Sequence, residues 1–194
     1  GRGDFYKEIK ELVKNYTGIE PSKKMLGDEI IQDDFKLMHG NGEDFDEKES
    51  YDVCLLKEVL DHCYDPNKVI KNCYDALKPD GIIIITLSNK NAYYKLIFKK
   101  MAEKLKEEHK DHLHNFSPKE VIDMMKNCGF IIEENISMNY LKLPIFLEKF
   151  LNKFPFKFII KLNDLFDGIG KVLLKDKGGS FILIGRKEPK SEEI

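Results

Sequence analysis

A doubly wound α/β sheet is the fold class this chain predicts, and three observations predict it. Apolar strand-like runs alternate with amphipathic helical stretches from one end to the other. Two of the runs, Tyr51–Leu56 and Ile82–Leu87, are apolar at successive rather than alternate positions, as in strands covered by helices on both faces of a parallel sheet. A glycine-rich turn, Gly1-Arg2-Gly3, leads into a helix, a short strand and then an acid, Glu20. A length of 194 residues suits one domain with a sizeable core.

The elements follow in order. Asp4–Lys14 reads as a helix and Tyr16–Ile19 as a short strand. Pro21–Gln32 reads as a helix with Pro21 in its first turn, where a missing N–H costs nothing. Tyr51–Leu56 is a strand, and Pro66–Leu77 is an amphipathic helix stopped by Lys78-Pro79-Asp80-Gly81. Ile82–Leu87 is the clearest strand, and Asn91–Lys110 reads as a long helix. Ser117–Asn127 carries its own start signal: Ser117 as N-cap, Pro118 at the first position and Glu120 to complete a capping box. Phe130–Ser137 and Ser180–Gly185 are late strands. Residues 1–187 read as one domain and 188–194 as a polar tail.

Composition narrows the partners. A net charge of −2 argues against bulk nucleic-acid binding, and no apolar run reaches membrane-spanning length. Cys54, Cys63, Cys73 and Cys128 show no Cys-x-x-Cys pairing, so they read as free thiols in a reducing cytoplasm, and no metal site is expected. The segment 141–175 differs from the rest. It holds Phe146, Phe150, Phe154, Phe156, Phe158 and Phe166, with Lys149, Lys153, Lys157 and Lys161 at every fourth position, and Pro155 divides it. It reads as a helical cap inserted before the last strand. Its aromatic face either packs on the core, with the lysines solvated, or touches a membrane surface or apolar substrate.

A glycine turn followed by a helix, a strand and an acid is how a Rossmann-like half-site holds an adenosine. The glycines allow close backbone approach, and the carboxylate accepts hydrogen bonds from the ribose hydroxyls. That pattern alone serves NAD as well. Four further segments stand in order behind it: Gly40-Asn41-Gly42-Glu43-Asp44-Phe45, then Tyr51 to His62, then Leu77-Lys78-Pro79-Asp80-Gly81 with the strand to Leu87, then His112-Leu113-His114-Asn115-Phe116-Ser117-Pro118 with Asn127-Cys128-Gly129-Phe130. With them the chain resembles the class I S-adenosylmethionine-dependent methyltransferases, in the small-molecule group that includes the ubiquinone-biosynthesis type. The resemblance covers nearly the whole chain. It implies a Rossmann-like seven-stranded sheet, mainly parallel with an antiparallel last strand and helices on both faces.

The resemblance also implies roles. Gly1, Arg2 and Gly3 border the methionine end of S-adenosylmethionine, and Glu20, followed by Pro21, takes the ribose hydroxyls; otherwise Glu20 is an acid favoured by the helix start beside it. Asn41, Gly42 and Glu43 lie along the adenine, with the Asn41 carbonyl as acceptor. Leu56 and Lys57 end the fourth strand beside the sulfonium. His62 stands where an acceptor's proton could be taken, or packs structurally at a helix start. His112, before the Ser117 helix, positions substrate or packs. His112-x-His114 offers no third metal ligand at a recognisable spacing. The expected acceptor is a small molecule methylated on oxygen, and the aromatic cap suits an apolar, lipid-linked or glycan-precursor compound.

The family's first strand precedes its glycine loop, so this chain is expected to lack it and to leave a gap in the sheet. Two other readings stay open: an NAD-dependent oxidoreductase, and a methyltransferase-like module that binds a partner without turnover.

Overall fold

The computed structural model describes residues 3–97, 112–140 and 154–189. Gly1 and Arg2, most of the predicted 91–110 helix, the lysines at 149 and 153, and the end of the tail lie outside the described residues. The chain divides into two compact units, Gly1–Glu47 and Lys48–Ile194. The single domain expected from length is therefore described in two parts.

In the first unit, helix α1 (Asp4–Ile9) starts from Gly3, whose φ is 72°. A Cβ there would lie 2.8 Å from the Phe35 ring, so both the backbone and the space select glycine. α1 stops well before Lys14. It buries no residue, so no packing holds a longer helix. Strand β1 (Tyr16–Glu20) follows, then α2 (Lys23–Leu26), β2 (Ile30–Ile31) and β3 (Phe35–His39). The predicted Pro21–Gln32 helix is thus one turn only. Ser22, not Pro21, starts it, its Oγ accepting from Met25 N at 3.3 Å. Gly27, at φ 72°, ends it, and the two β-branched residues beyond pair antiparallel with β3. β1 runs parallel to β3, with Glu20 level with His39, and the sheet order is β1-β3-β2.

In the second unit, β4 (Tyr51–Lys57) leads to a 3-10 turn (Leu60–His62) and α3 (Pro66–Ala76). α3 starts at Asp65, whose carboxylate accepts from Lys68 N. β5 (Leu77–Ser88) follows, then α4 (Tyr93–Ile97), α5 (Pro118–Asn127), β6 (Phe130–Met138), α6 (Phe156–Leu173) and β7 (Ser180–Lys187). The sheet order is β4-β5-β7-β6, with β4 parallel to β5 and β7 antiparallel to both neighbours. The antiparallel last strand is as expected.

Two expectations about the sheet are corrected. The described residues contain seven strands, but in a three-stranded and a four-stranded sheet, not a single one. Nor is pairing mainly parallel: it is so only for β1–β3 and β4–β5, because β2 turns back on β3 and β6 joins through β7.

The core lies on one face of the larger sheet. Ile83, Ile85 and Leu87 of β5 and Phe181 and Leu183 of β7 are buried against Val69 and Ile70 of α3 and Val121 and Met125 of α5. Ile82, Ile84, Ile182 and Ile184, on the opposite face, are only partly buried. Lys187 is buried at the end of β7. Its Nζ donates to the carbonyls of Tyr74 and Leu77 at 2.8 and 2.7 Å and lies over the Tyr74 ring. It thereby satisfies carbonyls that the end of α3 leaves open.

α6 is held by one side. The Asp167 carboxylate accepts from the backbone N–H groups of Asn139 and Tyr140, and Gly170 is buried beside Tyr140. Phe158, Leu165, Phe166, Ile169, Val172 and Leu173 are exposed, Val172 by 76%.

Candidate functional site

Strand ends position the first group of residues. In the first unit, the parallel strands β1 and β3 finish side by side, at Glu20 and at His39 before Gly40. Ligands in α/β sheets bind beyond such carboxyl ends. A cleft of about 470 Å³ opens there, lined by Ile19, Pro21, Met38, Asn41, Asp44 and Phe45 among others. Its mixture of apolar side chains and acceptors suits a base and its ribose.

Glu20 Oε1 accepts from Ser22 N at 2.8 Å, which fixes the carboxylate at the end of β1. Pro21 lines the cleft, and its carbonyl lies 3.1 Å from His39 Nε2. Asn41 is set differently from the expectation. Its Nδ2 donates to Asp44 Oδ2 at 2.7 Å, and its Oδ1 accepts from Asp44 N at 2.9 Å. The amide oxygen reserved for an adenine amino group is therefore closing a local turn, with one lone pair left over. Asp44 and Phe45 thus belong to the cleft although sequence reasoning gave them no role. The Asn-x-x-Asp spacing of a side-chain-closed turn was the signal for Asp44. Gly42 and Glu43 are half-buried on the same loop.

In the second unit, β4 ends at buried Leu56 and exposed Lys57. Glu58 follows at φ 51°, a backbone region that non-glycine residues seldom occupy. Its backbone N–H donates to Thr86 O at 2.9 Å, and its carboxylate accepts from Ser88 N at 3.2 Å, so it bridges to β5. Burial, and next the charge of Asp61, push the Glu58 carboxyl above the usual range.

The 3-10 turn then presents Asp61 and His62. Asp61 is 4% exposed. Its Oδ2 lies 3.2 Å from His112 Nδ1, and its backbone carbonyl accepts from Leu113 N at 2.8 Å and His114 N at 3.1 Å. His62 Nε2 is 3.9 Å from Asp61 Oδ1. The His62 and His112 rings meet edge to face with centroids 4.5 Å apart. His114 turns aside to stack on Phe116. A nitrogen or oxygen of Asp61, His62 and His112 each lies within 4.8 Å of the others, so the group of three that spacing did not reveal is supplied by the fold.

The structure therefore brings His62 and His112 together in the second unit, through Asp61. Glu20, Pro21, Asn41, Gly42 and Glu43 stand in the first. Asp61 went unnoticed because its partner is 51 residues away in sequence, across a stretch that spacing rules do not bridge.

Comparison with known proteins gives the family context. Residues 1–85 match a family described as a methyltransferase domain. A ubiquinone biosynthesis O-methyltransferase of Shewanella pealeana is 30% identical over 94 residues, 46% of this chain and 40% of that protein. An uncharacterized protein of Methanocaldococcus jannaschii is 34% identical over 133 residues, 67% of this chain and 60% of that one. These curated relatives are longer than the part of them that the chain matches. Among solved structures, a possible histamine N-methyltransferase of Thermotoga maritima superposes with a TM-score of 0.63 at 19% identity, over 97% of this chain and 78% of that one. A putative methyltransferase solved with the Trm112 activator of Haloferax volcanii gives 0.63 at 16% identity, over 97% and 79%. At such identities the likeness concerns the fold.

Proposed function

We propose that this chain is a class I S-adenosylmethionine-dependent methyltransferase and that it methylates a small-molecule acceptor. The observation that carries the proposal is the cleft at the carboxyl ends of β1 and β3, with the fixed Glu20 carboxylate at the end of β1. When bound, the cofactor supplies an electrophilic methyl group on a sulfonium.

The chain's own residues bind and orient. Glu20 accepts from the ribose hydroxyls, while Asn41 and Asp44 offer acceptors to the adenine amino group, beside Gly42, Glu43 and Phe45. Gly1, Arg2 and Gly3 are the residues we infer to border the methionine end, where the φ of 72° at Gly3 suits close backbone approach.

The acceptor we infer is apolar or lipid-linked and is methylated on oxygen. The exposed apolar arc of α6 supports this, with exposed Lys157 and Lys161 on the same helix. No described helix is long and apolar enough to cross a membrane.

Calorimetric titration with S-adenosylhomocysteine, with NAD as control, tests the proposal. Saturable binding of the first alone is expected. Binding of NAD instead would point to an oxidoreductase. Binding of neither by folded protein would point to a cofactor-free module.

A further inference from the structure

We propose that Asp61, His62 and His112 form a site for a divalent transition-metal ion of the zinc type, with a further coordination position left for an oxygen of water or of a small molecule. The three residues stand in the second unit alone, and the inference does not depend on the methyl-transfer reading.

The backbone brings them together. The 3-10 turn Leu60–His62 is anchored by fully buried Leu60 and closed by His62 N, which donates to Val59 O at 3.0 Å. Leu113 N and His114 N donate to the Asp61 backbone carbonyl at 2.8 and 3.1 Å, so the segment that carries His112 is fastened to the turn that carries Asp61 and His62. A ligand set held by main-chain bonds is in place before any ion arrives.

The spacing of the donor atoms suits such an ion. Asp61 Oδ2 lies 3.2 Å from His112 Nδ1, and Asp61 Oδ1 lies 3.9 Å from His62 Nε2. One donor atom from each of the three falls within 4.8 Å of the others. Zinc takes imidazole nitrogen and carboxylate oxygen at about 2.0–2.2 Å, which sets donor atoms about 3.3–3.5 Å apart around a tetrahedral ion. The two observed separations bracket that value. The His62 side chain is 44% exposed, so its ring has room to close the wider one. Each imidazole turns one nitrogen to the ion and keeps the other for its remaining contacts.

A second observation points to the same place. Asp61 is 4% exposed, and its Oδ1 is buried with no hydrogen-bond partner among the described residues. Such an atom is costly, and a water or an ion commonly accounts for it. A cation supplies the missing partner and also offsets the charge of a buried carboxylate, which a water does not. Two nitrogens and one carboxylate favour zinc and its transition-metal neighbours over magnesium or calcium, which take oxygen ligands. Three protein ligands also leave the ion an open position, as in zinc sites that bind a water or substrate. His114, the neighbour that spacing alone pairs with His112, stacks on Phe116 instead.

Titration of the whole chain, first stripped with a chelator, with zinc chloride and nitrogen-15 NMR of the imidazoles tests this without an acceptor or S-adenosylmethionine. The resonances of His62 and His112 should shift together and saturate at one ion per chain, while those of His39 and His114 stay in place. Asp61→Asn and His112→Gln should each weaken zinc binding by more than about a hundredfold, since losing even an outer partner of a ligand costs about tenfold to a hundredfold. No shift at His62 and His112 would leave Asp61 Oδ1 to a water and overturn the proposal, and that reading needs no variant to fold. Undiminished zinc affinity in folded Asp61→Asn protein would place the ion elsewhere, on the thiols for instance, and overturn it too. Displacement of zinc by equimolar magnesium chloride would overturn the assignment to a nitrogen-preferring ion. The titration with S-adenosylhomocysteine is independent: it can fail with zinc bound as expected, which would remove the methyl-transfer reading and leave the metal site.

Discussion

Glu20 and Asp61 are both carboxylates at the carboxyl end of a strand or in the turn just beyond, yet they differ in what surrounds them. Glu20 is half-buried at the end of β1, and its Oε1 accepts from the Ser22 backbone N–H. Replacing it with alanine should weaken S-adenosylhomocysteine binding roughly tenfold to a hundredfold, the worth of hydrogen bonds to a charged group of about 1.5–3 kcal/mol. Calorimetry on folded variant measures it, and an unchanged affinity would assign Glu20 to the helix start alone. Its place after a glycine turn, a helix and a strand was legible in the sequence, because the whole pattern is local. Asp61 was not, because its meaning comes from burial and from a histidine brought in by the fold. The same holds for Asp44, whose bonds to Asn41 close the turn that carries the amide.

Helices show the same division between local and distant causes. α5 was predicted to its last residue, and its capping box is present: Glu120 Oε2 accepts from Ser117 N at 2.8 Å and from Ser117 Oγ at 2.7 Å. Ser117→Ala should cost about 1 kcal/mol, read from urea unfolding. Burial would raise the Glu120 carboxyl, but the bonds from Lys90 and Ser117 outweigh it and hold the group at about 2. Because the folded value is depressed, the stability this group contributes is present above the ordinary carboxylate range. It is lost as pH falls toward 2, and Glu120→Gln should flatten that part of an acid-denaturation curve. α2 was misread because the apolar spacing of 21–32 passes over Gly27 and the β-branched pair Ile30-Ile31, whose pairing with β3 is a tertiary event. α6 lies between these cases. Its existence was legible, but the outward direction of its apolar arc was not, since Asp167 and Gly170 decide which side docks. If that arc meets lipid, the protein should co-sediment with phosphatidylglycerol vesicles, and Phe158→Asp with Phe166→Asp should abolish it. Equal sedimentation of both forms would remove lipid contact through this arc.

At the scale of the molecule, the two units differ in how much they bury. The helices of the first bury only Leu26, whereas the second packs α3 and α5 onto β5 and β7. Hydrogen exchange should therefore be faster in β1 and β3 than in β5 and β7, and the reverse order would contradict this account of the core. Lys187→Met should cost about 2–3 kcal/mol in a urea melt of the second unit, because two carbonyls near the end of α3 lose a buried donor. The strand that carries Lys187 has one more consequence. β7 lies between β5 and β6 and yet is the last strand among the described residues. Once the Ile82-Ile83-Ile84-Ile85 run has cleared the ribosome's exit tunnel, it lacks the neighbour that will cover its edge until Ser180 to Lys187 follow. Such a run is prone to join another like it, so nascent copies on one messenger are a hazard to each other until β7 emerges. Synthesis that stalls short of Ser180 should leave chains that need a chaperone, and completion of the last strand is the event that releases them.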